Sequence, residues 1–344
     1  MDPVTHLLTG ACLGRAGLNR KTGLATLTLT LTAEAPDLDV IAYFWGPVAG
    51  LQHHRGFTHA LIGIPLVGIA VLAAVYGIYR FRSRSGWQPE LPPRWALLFG
   101  YGCLAAAIHL LQDLTNNYGV RPFTPFYPRW YSGDLVFIID PLMLLALFLG
   151  LVLPSLFSLI SEEVGAKKGQ FRGAGGARFA LICLAALISL RALEHSRAIT
   201  LLQSLTYRGE DAVRVSAFPN PLNFFAWNGV VETKDFFELL PVESNAGEVD
   251  PHNLAVVQYK PQETAVTLAA KKSYLGRVYL DWAEYPLVRQ STLEGNRYLV
   301  TFTDLRFTTA EALRRRRSSP LTGYVILDSA LRVVQEGTGA PEPD

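Results

Sequence analysis

The sequence predicts an α-helical membrane domain, about four long spans preceded by a short N-terminal helical hairpin, followed by a small and mostly antiparallel β domain. Three observations predict this. Charged residues are 17% of the 344 and mean hydropathy is +0.22, a low charge content that suits a partly lipid-embedded chain. Long uncharged runs are confined to the part before residue 195. Beyond it, short segments alternate apolar and polar residues and are rich in Val, Tyr, Phe and Thr, as half-buried strands are. The length itself favours two structural units. We place the boundary between a helical domain, residues 1–194, and a β-rich extramembrane domain, residues 195–344.

The apolar segments 4–14 and 24–33 are too short for ordinary crossings, and Arg15, Arg20 and Lys21 lie between them, so they predict a hairpin packed among longer helices. Residues 60–79 give 20 consecutive uncharged positions, enough at helical rise to cross a hydrocarbon core of ~30 Å. Residues 95–112 form a second span with His109 as its ionisable group, residues 141–160 a third, and residues 179–193 a shorter, weaker fourth. Positive short loops stay on the cytoplasmic side. The loop 80–94 carries Arg80, Arg82, Arg84 and Arg94, and the loop 161–178 carries Lys167, Lys168, Arg172 and Arg178, whereas the loop 114–136 has Arg121 and Arg129. This orientation places 114–136, and with it the β domain, on the outer side of the membrane. The first residues carry Asp2 and His6 instead of a basic stretch before a long apolar run, so no cleavable signal peptide is expected and insertion relies on the internal spans.

In the C-terminal part, LAVVQYK, RYLVTFTDLRF and TGYVILDSALRVVQEG are the strand candidates, separated by turn signals at Pro219–Asn220–Pro221 and Glu294–Gly295–Asn296. The aromatic cluster FPNPLNFFAWNGVV suits core packing more often than a lipid contact. The run from Arg314 to Arg317 is expected on a solvated face. A net charge of +2 shows no concentrated basic face, and no nucleic-acid partner is expected. Cys12, Cys103 and Cys183 lie far apart in apolar stretches, which argues against disulfides and against a thiolate metal cluster.

The chemistry-bearing residues concentrate early. Five of the seven histidines, His6, His53, His54, His59 and His109, fall before residue 114, where the chain is otherwise most apolar. An ionisable side chain near membrane depth needs a partner or a function. Tracing the predicted elements, His6 begins the hairpin, Glu34, Asp37 and Asp39 follow its end, His53, His54 and His59 precede the first span, and His109 and Asp113 end the second. Four separate pieces of chain thus bring ionisable groups to one membrane face, and the hydropathy argument used none of them.

His109 and Asp113 stand at i, i+4 in AIHLLQDLTNNYG, one turn apart on one helix face, a spacing that holds a cation or closes a helix end with a His–Asp hydrogen bond. In LQHHRGFTHALIG, His59 is the strongest ligand candidate because it sits at a helix start. His54 comes next, and His53 is placed to orient a ligand or a water. In AEAPDLDV, Pro36 breaks the preceding helix, and Asp37 and Asp39 point to opposite sides if extended. We favour Asp37 as ligand, with Asp39 a close alternative that otherwise caps a helix or orients a histidine. Glu34 is a ligand or general base. His6 carries weight only together with the others.

A His and carboxylate set without thiolates suits Zn2+, one or two ions, or Mn2+ or Fe2+. An open position on such an ion acidifies water toward neutral pH, which favours hydrolysis. Arg55 beside the site is placed to stabilise an anionic, phosphoryl-like transition state, or to contact a lipid headgroup or a carboxylate.

On DPVTHLLTGACLGRAGLNRKT, APDLDV, HHRGFTH and HLLQDLTNNYG, over roughly the first 140 residues, the sequence resembles the bacterial family of LexA-regulated, inner-membrane metal-dependent hydrolases. That resemblance implies a membrane-bound metal-dependent hydrolase. The order His6, Asp37, His59 and His109-x-x-x-Asp113 also resembles the ligand order of the zinc-dependent phospholipase C and single-strand nuclease superfamily, which implies phosphoester hydrolysis. The second His-x-x-x-Asp pair of that superfamily is missing here, since His195 and His252 have no such partner, so one or two ions are expected in place of three. The expected partners are membrane lipids and a small-molecule or lipid phosphoester substrate. The competing expectation is a non-catalytic membrane protein with a structural or sensory ion and a partner-binding β domain.

Overall fold

The computed structural model describes residues 1–163, 173–315, 317, 319 and 321–339. The charges Lys167, Lys168 and Arg172 of the second basic loop, and Arg316 of the arginine run, lie outside the described residues. The chain divides into two compact units. One comprises Met1–Asp39 and Arg55–Ala192, the other Val40–His54 and Leu193–Asp344. The short segment 40–54 therefore groups with the C-terminal part of the chain.

The first unit is helical. α1 (Pro3–Arg15) starts on an N-cap by Asp2, whose carboxylate accepts from Thr5 N at 3.0 Å, with Pro3 supplying a first-turn φ suited to a helix. α2 (Ala25–Glu34) packs back along it. The hairpin is tight because of Gly10: a Cβ there would stand 2.6 Å from Leu29 O and 2.8 Å from Ala33 Cβ, so only glycine lets the backbones approach this closely. α4 (Gly63–Ser83) and α5 (Trp95–Thr115) form the next pair; they also meet at glycines, a Cβ on Gly102 lying 3.3 Å from Gly68 Cα. α6 is Pro141–Glu163, and α7, Ala174–Gln203, runs from the first unit into the second.

Among the described residues three helices, Gly63–Ser83, Trp95–Thr115 and Ala174–Gln203, are long and apolar enough to cross a membrane; Pro141–Pro154 is a shorter apolar helix. The fourth predicted span is thus the longest helix among the described residues, at 30 residues, because polar residues from Arg191 onward extend it past its apolar stretch. A buried ion pair joins α6 and α7: Arg191 Nη2 lies 3.2 Å from Asp140 Oδ2, while Asp140 Oδ1 accepts from the N–H groups of Leu142 and Met143 and caps α6.

The second unit is β-rich, as the alternating segments predict. β1 (Arg214–Pro219), β2 (Ala226–Glu232), β3 (Phe236–Glu243) and β4 (Glu248–Val249) follow one another antiparallel, and β5 (Val256–Tyr259) also pairs with β3. α8 (Ala265–Lys271) and α9 (Tyr274–Trp282), capped by Thr264 and Ser273, precede an antiparallel meander of β6 (Pro286–Leu293), β7 (Arg297–Asp304), β8 (Gly323–Leu327) and β9 (Val333–Thr338); α10 (Ala310–Arg314) interrupts it. Phe218 and Trp227 of the aromatic cluster are 1% exposed, so they serve as core. α3 (Pro47–His53), far upstream in sequence, packs on α9 and β9.

Candidate metal centre

All the site residues described next, His53 and His54 apart, belong to the helical unit. The segment carrying Asp37 and Asp39 is a 3-10 helix, Ala35–Trp45, so the opposite-facing geometry of an extended chain does not apply. His59 closes a single 3-10 turn, Phe57–His59, immediately before α4. His109 and Asp113 lie one turn apart near the end of α5, and His6 is on the second turn of α1.

These elements deliver Asp37, His59, His109 and Asp113 to one place: each offers a ligand atom within 4.8 Å of the others, and all four are buried. His59 Nε2 lies 2.9 Å from His109 Nε2, 3.3 Å from Asp37 Oδ1 and 3.2 Å from Asp113 Oδ2. His109 Nε2 lies 3.4 Å from Asp113 Oδ2 and 3.7 Å from Asp37 Oδ1. Ligands at ~2.0–2.1 Å from a tetrahedral ion stand ~3.3 Å apart, and these five separations bracket that value. Asp37 Oδ2 is buried without a hydrogen-bonding partner, which leaves acceptor capacity at the same spot.

Each imidazole is held from behind. His109 Nδ1 donates to Ala33 O at 2.7 Å, at the end of α2. His59 Nδ1 faces Asp39 Oδ2 at 3.2 Å and Thr58 Oγ1 at 3.1 Å, and the same Asp39 oxygen accepts from Arg55 N at 2.7 Å. His6 Nδ1 lies 3.1 Å from Gln112 Oε1, whose amide is fixed in turn by donation of Nε2 to Thr9 Oγ1 at 3.0 Å. Each Nδ1 has an acceptor within reach, so the tautomer that presents Nε2 to an ion is open to all three rings.

His6 is a neighbour of the four: its ring stacks on His109 at 3.8 Å between centroids, and its Nε2 is 3.3 Å from Asp113 Oδ1. Burial first, then the positive neighbours His109, the Met1 amino group, Arg55 and His59, push the His6 pKa well below the usual value, so its ring is neutral. Burial raises the Asp37 pKa. The hydrogen bond with His59 and the charges of His109, His59 and the Met1 amino group outweigh it and bring the carboxyl down to about 2.

Arg55, in a left-handed conformation with φ +52°, is fully enclosed. Its Nη2 pairs with Asp113 Oδ1 at 2.9 Å, Nη1 donates to Asn116 Oδ1 and Gly119 O, and the guanidinium stacks over Tyr118. Of the roles weighed for it, the carboxylate contact is the one this geometry displays. The Met1 amino group also touches Asp113 Oδ1. Asn116 gathers the turn after α5 by accepting from Arg55, Tyr118 N and Gly119 N.

Glu34 is half-buried at the end of α2. Its Oε2 has no hydrogen-bonding partner, and burial, then Asp37 and Asp2, raises its pKa to about 7. Asp39 lies behind His59 and outside the four-ligand group. His54, the remaining ligand candidate, is half-buried in the segment that groups with the second unit, and the exposed His53 precedes it. Gln112, Thr58 and Asn116 were not singled out from the sequence. Gln112 carried a signal, lying three residues after His109 and beside Asp113.

The family model described as YdjM inner membrane protein matches residues 1–198, more than half of the chain and the whole of the site. A curated relative, the uncharacterized protein YfhP of Bacillus subtilis (strain 168), is 25% identical over 154 residues, 42% of this chain and 44% of that protein's length. The chain thus spans less than half of the curated relative it matches. No solved structure matches. The chain belongs to the YdjM inner membrane protein family.

Proposed function

We propose that this chain is a membrane metallohydrolase whose ion is held by Asp37, His59, His109 and Asp113. One observation carries the reading: imidazoles from three separate elements, each tied at Nδ1, turn their Nε2 atoms toward two buried carboxylates. With both rings protonated at Nδ1, the Nε2 lone pairs of His59 and His109 meet at 2.9 Å and repel unless a cation lies between them. The donor set, nitrogen and oxygen without sulfur, is typical of catalytic rather than structural zinc, and Mn2+ or Fe2+ suits it too. His6 is placed to add a further donor beside Asp113, so one or two ions fit.

Such an ion supplies Lewis acidity and a water acidified toward neutral pH. The chain's own residues do the rest. Asp39, Gln112 and the Ala33 carbonyl fix the three rings; Arg55 holds Asp113 in place; and the half-buried Glu34, with an oxygen unpartnered, is the group to take up a proton. The substrate class that fits a membrane enzyme of this donor set is a phosphoester of a lipid or other envelope molecule, in keeping with a ligand order that resembles part of the zinc-dependent phospholipase C and nuclease pattern. The contrast between Arg80, Arg82, Arg84 and Arg94 in one loop and Arg121 and Arg129 in the next supports a periplasmic position for the ion site and the β-rich unit.

A second reading, a structural or sensory ion, draws on the burial of all four ligands. Detergent-purified full-length protein assayed on phosphodiesters and phospholipids, with chelator and after metal restoration, separates the two. Hydrolysis that chelator abolishes, Zn2+ restores and Asp113→Ala lacks supports the enzyme. Stoichiometric metal with no hydrolysis in any assay supports the structural ion.

A further inference from the structure

The ion site lies where α5 ends and α4 begins, so it stands at the level at which two candidate spans leave the bilayer. Around that level the helical unit exposes large apolar side chains. Phe57, Leu61 and Ile62 surround His59 in sequence, and Phe123, Phe126 and Tyr127 belong to the turn that follows α5; Phe126 is 84% exposed. The two segments are tied together by Leu61 N donating to Pro122 O at 2.8 Å. The patch continues into a span: Ile62, at the N-cap of α4, and Leu66, Ile69 and Tyr76 within it, all exposed, follow i, i+4, i+7, i+14 spacing and form one stripe. Lipid must cover that stripe if α4 crosses the membrane.

The composition of the turn points to the same solvent. Aromatics enriched at one level with arginines among them are what a bilayer interface selects. Here Arg121 lies over Trp130 at 4.5 Å and Arg129 over Tyr131 at 5.8 Å.

We infer that this rim sits in the bilayer interface and that the site takes its substrate from the membrane, as a phosphoester still anchored by its acyl or prenyl chains, not as a soluble phosphate compound. The inference rests on the proposed hydrolase, and its test separates the two. In one arm, Phe126→Trp and Ile62→Trp proteins are placed in nanodiscs whose lipids are brominated close to the headgroup, and emission is compared with wild type. Added quenching is expected, and emission that rises no closer to the quencher than in wild type overturns the interfacial rim. In the other arm, the same phosphodiester headgroup is offered on a vesicle lipid and on a short-chain soluble analogue, with metal content measured alongside. Wild type should prefer the vesicle substrate. Phe57→Ser/Phe126→Ser should lose that rate by about tenfold or more while keeping its metal and its rate on the soluble analogue, tenfold being ~1.4 kcal/mol of lost apolar contact. Equal rates on both substrates, unchanged by the double substitution, overturn the inference and leave the hydrolase standing. No hydrolysis of either by metal-loaded protein overturns the hydrolase itself, and the quenching arm then decides the rim alone.

Discussion

Asp39 makes the sharpest test of how the site is built, because it touches the proposed ligand and not the ion. One of its oxygens receives three donors: Arg55 N at 2.7 Å, His59 Nδ1 at 3.2 Å and Thr58 Oγ1 at 3.3 Å. Asp39→Ala removes the acceptor that fixes the His59 tautomer and leaves a backbone N–H unpaired. Partners of this kind behind metal-bound histidines contribute about 10–100-fold in metal affinity. At ~1.4 kcal/mol per factor of ten, the expected loss is about 1.4–2.8 kcal/mol. Asp39→Asn keeps an acceptor oxygen without the charge and should fall between wild type and alanine. Competition of the purified protein against a chromophoric zinc chelator reads both values directly, and metal stoichiometry at saturation should stay that of wild type because no ligand is lost. If Asp39→Ala bound zinc as tightly as wild type, His59 would not be held from behind as described. If it lost the metal altogether, Asp39 would be a ligand and the assignment of Asp37 and Asp39 would reverse.

Other outcomes follow from the same geometry. Gly10→Leu drives a side chain into Leu29 O and Ala33 Cβ and should destabilise the hairpin by about 1–3 kcal/mol or more, read as a lower melting temperature in detergent together with weaker metal binding, since Ala33 O holds His109. Arg191→Met strands Asp140 in a buried position and should cost about 3–5 kcal/mol of stability, part of which Asp140→Asn in the same chain recovers. In chelated protein Glu34, raised to about 7, is mostly protonated below neutral pH and ionised above it. An infrared carboxyl band that disappears as pH rises through that region, and is missing in Glu34→Gln, is therefore expected. Acidification should release the metal, because protons compete for imidazole and carboxylate donors, and metal content measured after dialysis across pH 7 to 5 checks it.

Much of the fold was legible because hydropathy and alternation are local properties. The hairpin, the spans at 60–79 and 95–112 and the strands around Val256–Tyr259 and Gly323–Leu327 follow directly from them. The pair His109 and Asp113 was legible from i, i+4 spacing, and His59 from its place at a helix start. What escaped depends on contacts distant in sequence. Segment 40–54 joins the second unit through α3 packing on α9 and β9, which no local pattern announces. Pro36 announced a helix break but not the 3-10 helix that follows, and that conformation is what sends Asp37 to the His59–His109–Asp113 cluster and Asp39 behind His59. Gln112 reads as an ordinary helix residue until His6 arrives from 106 positions away.

The convergence of imidazole and carboxylate on one buried point is tested most directly by elemental analysis of detergent-purified full-length protein, joined to X-ray absorption at the edge of whatever metal is found. A first-row divalent metal in at least equimolar amount is predicted, with a shell of nitrogen and oxygen at ~2.0–2.1 Å, imidazole scattering and no sulfur, and His59→Ala and Asp113→Ala should each lose it. Folded protein that carries no stoichiometric metal and binds none when zinc is offered would contradict the account.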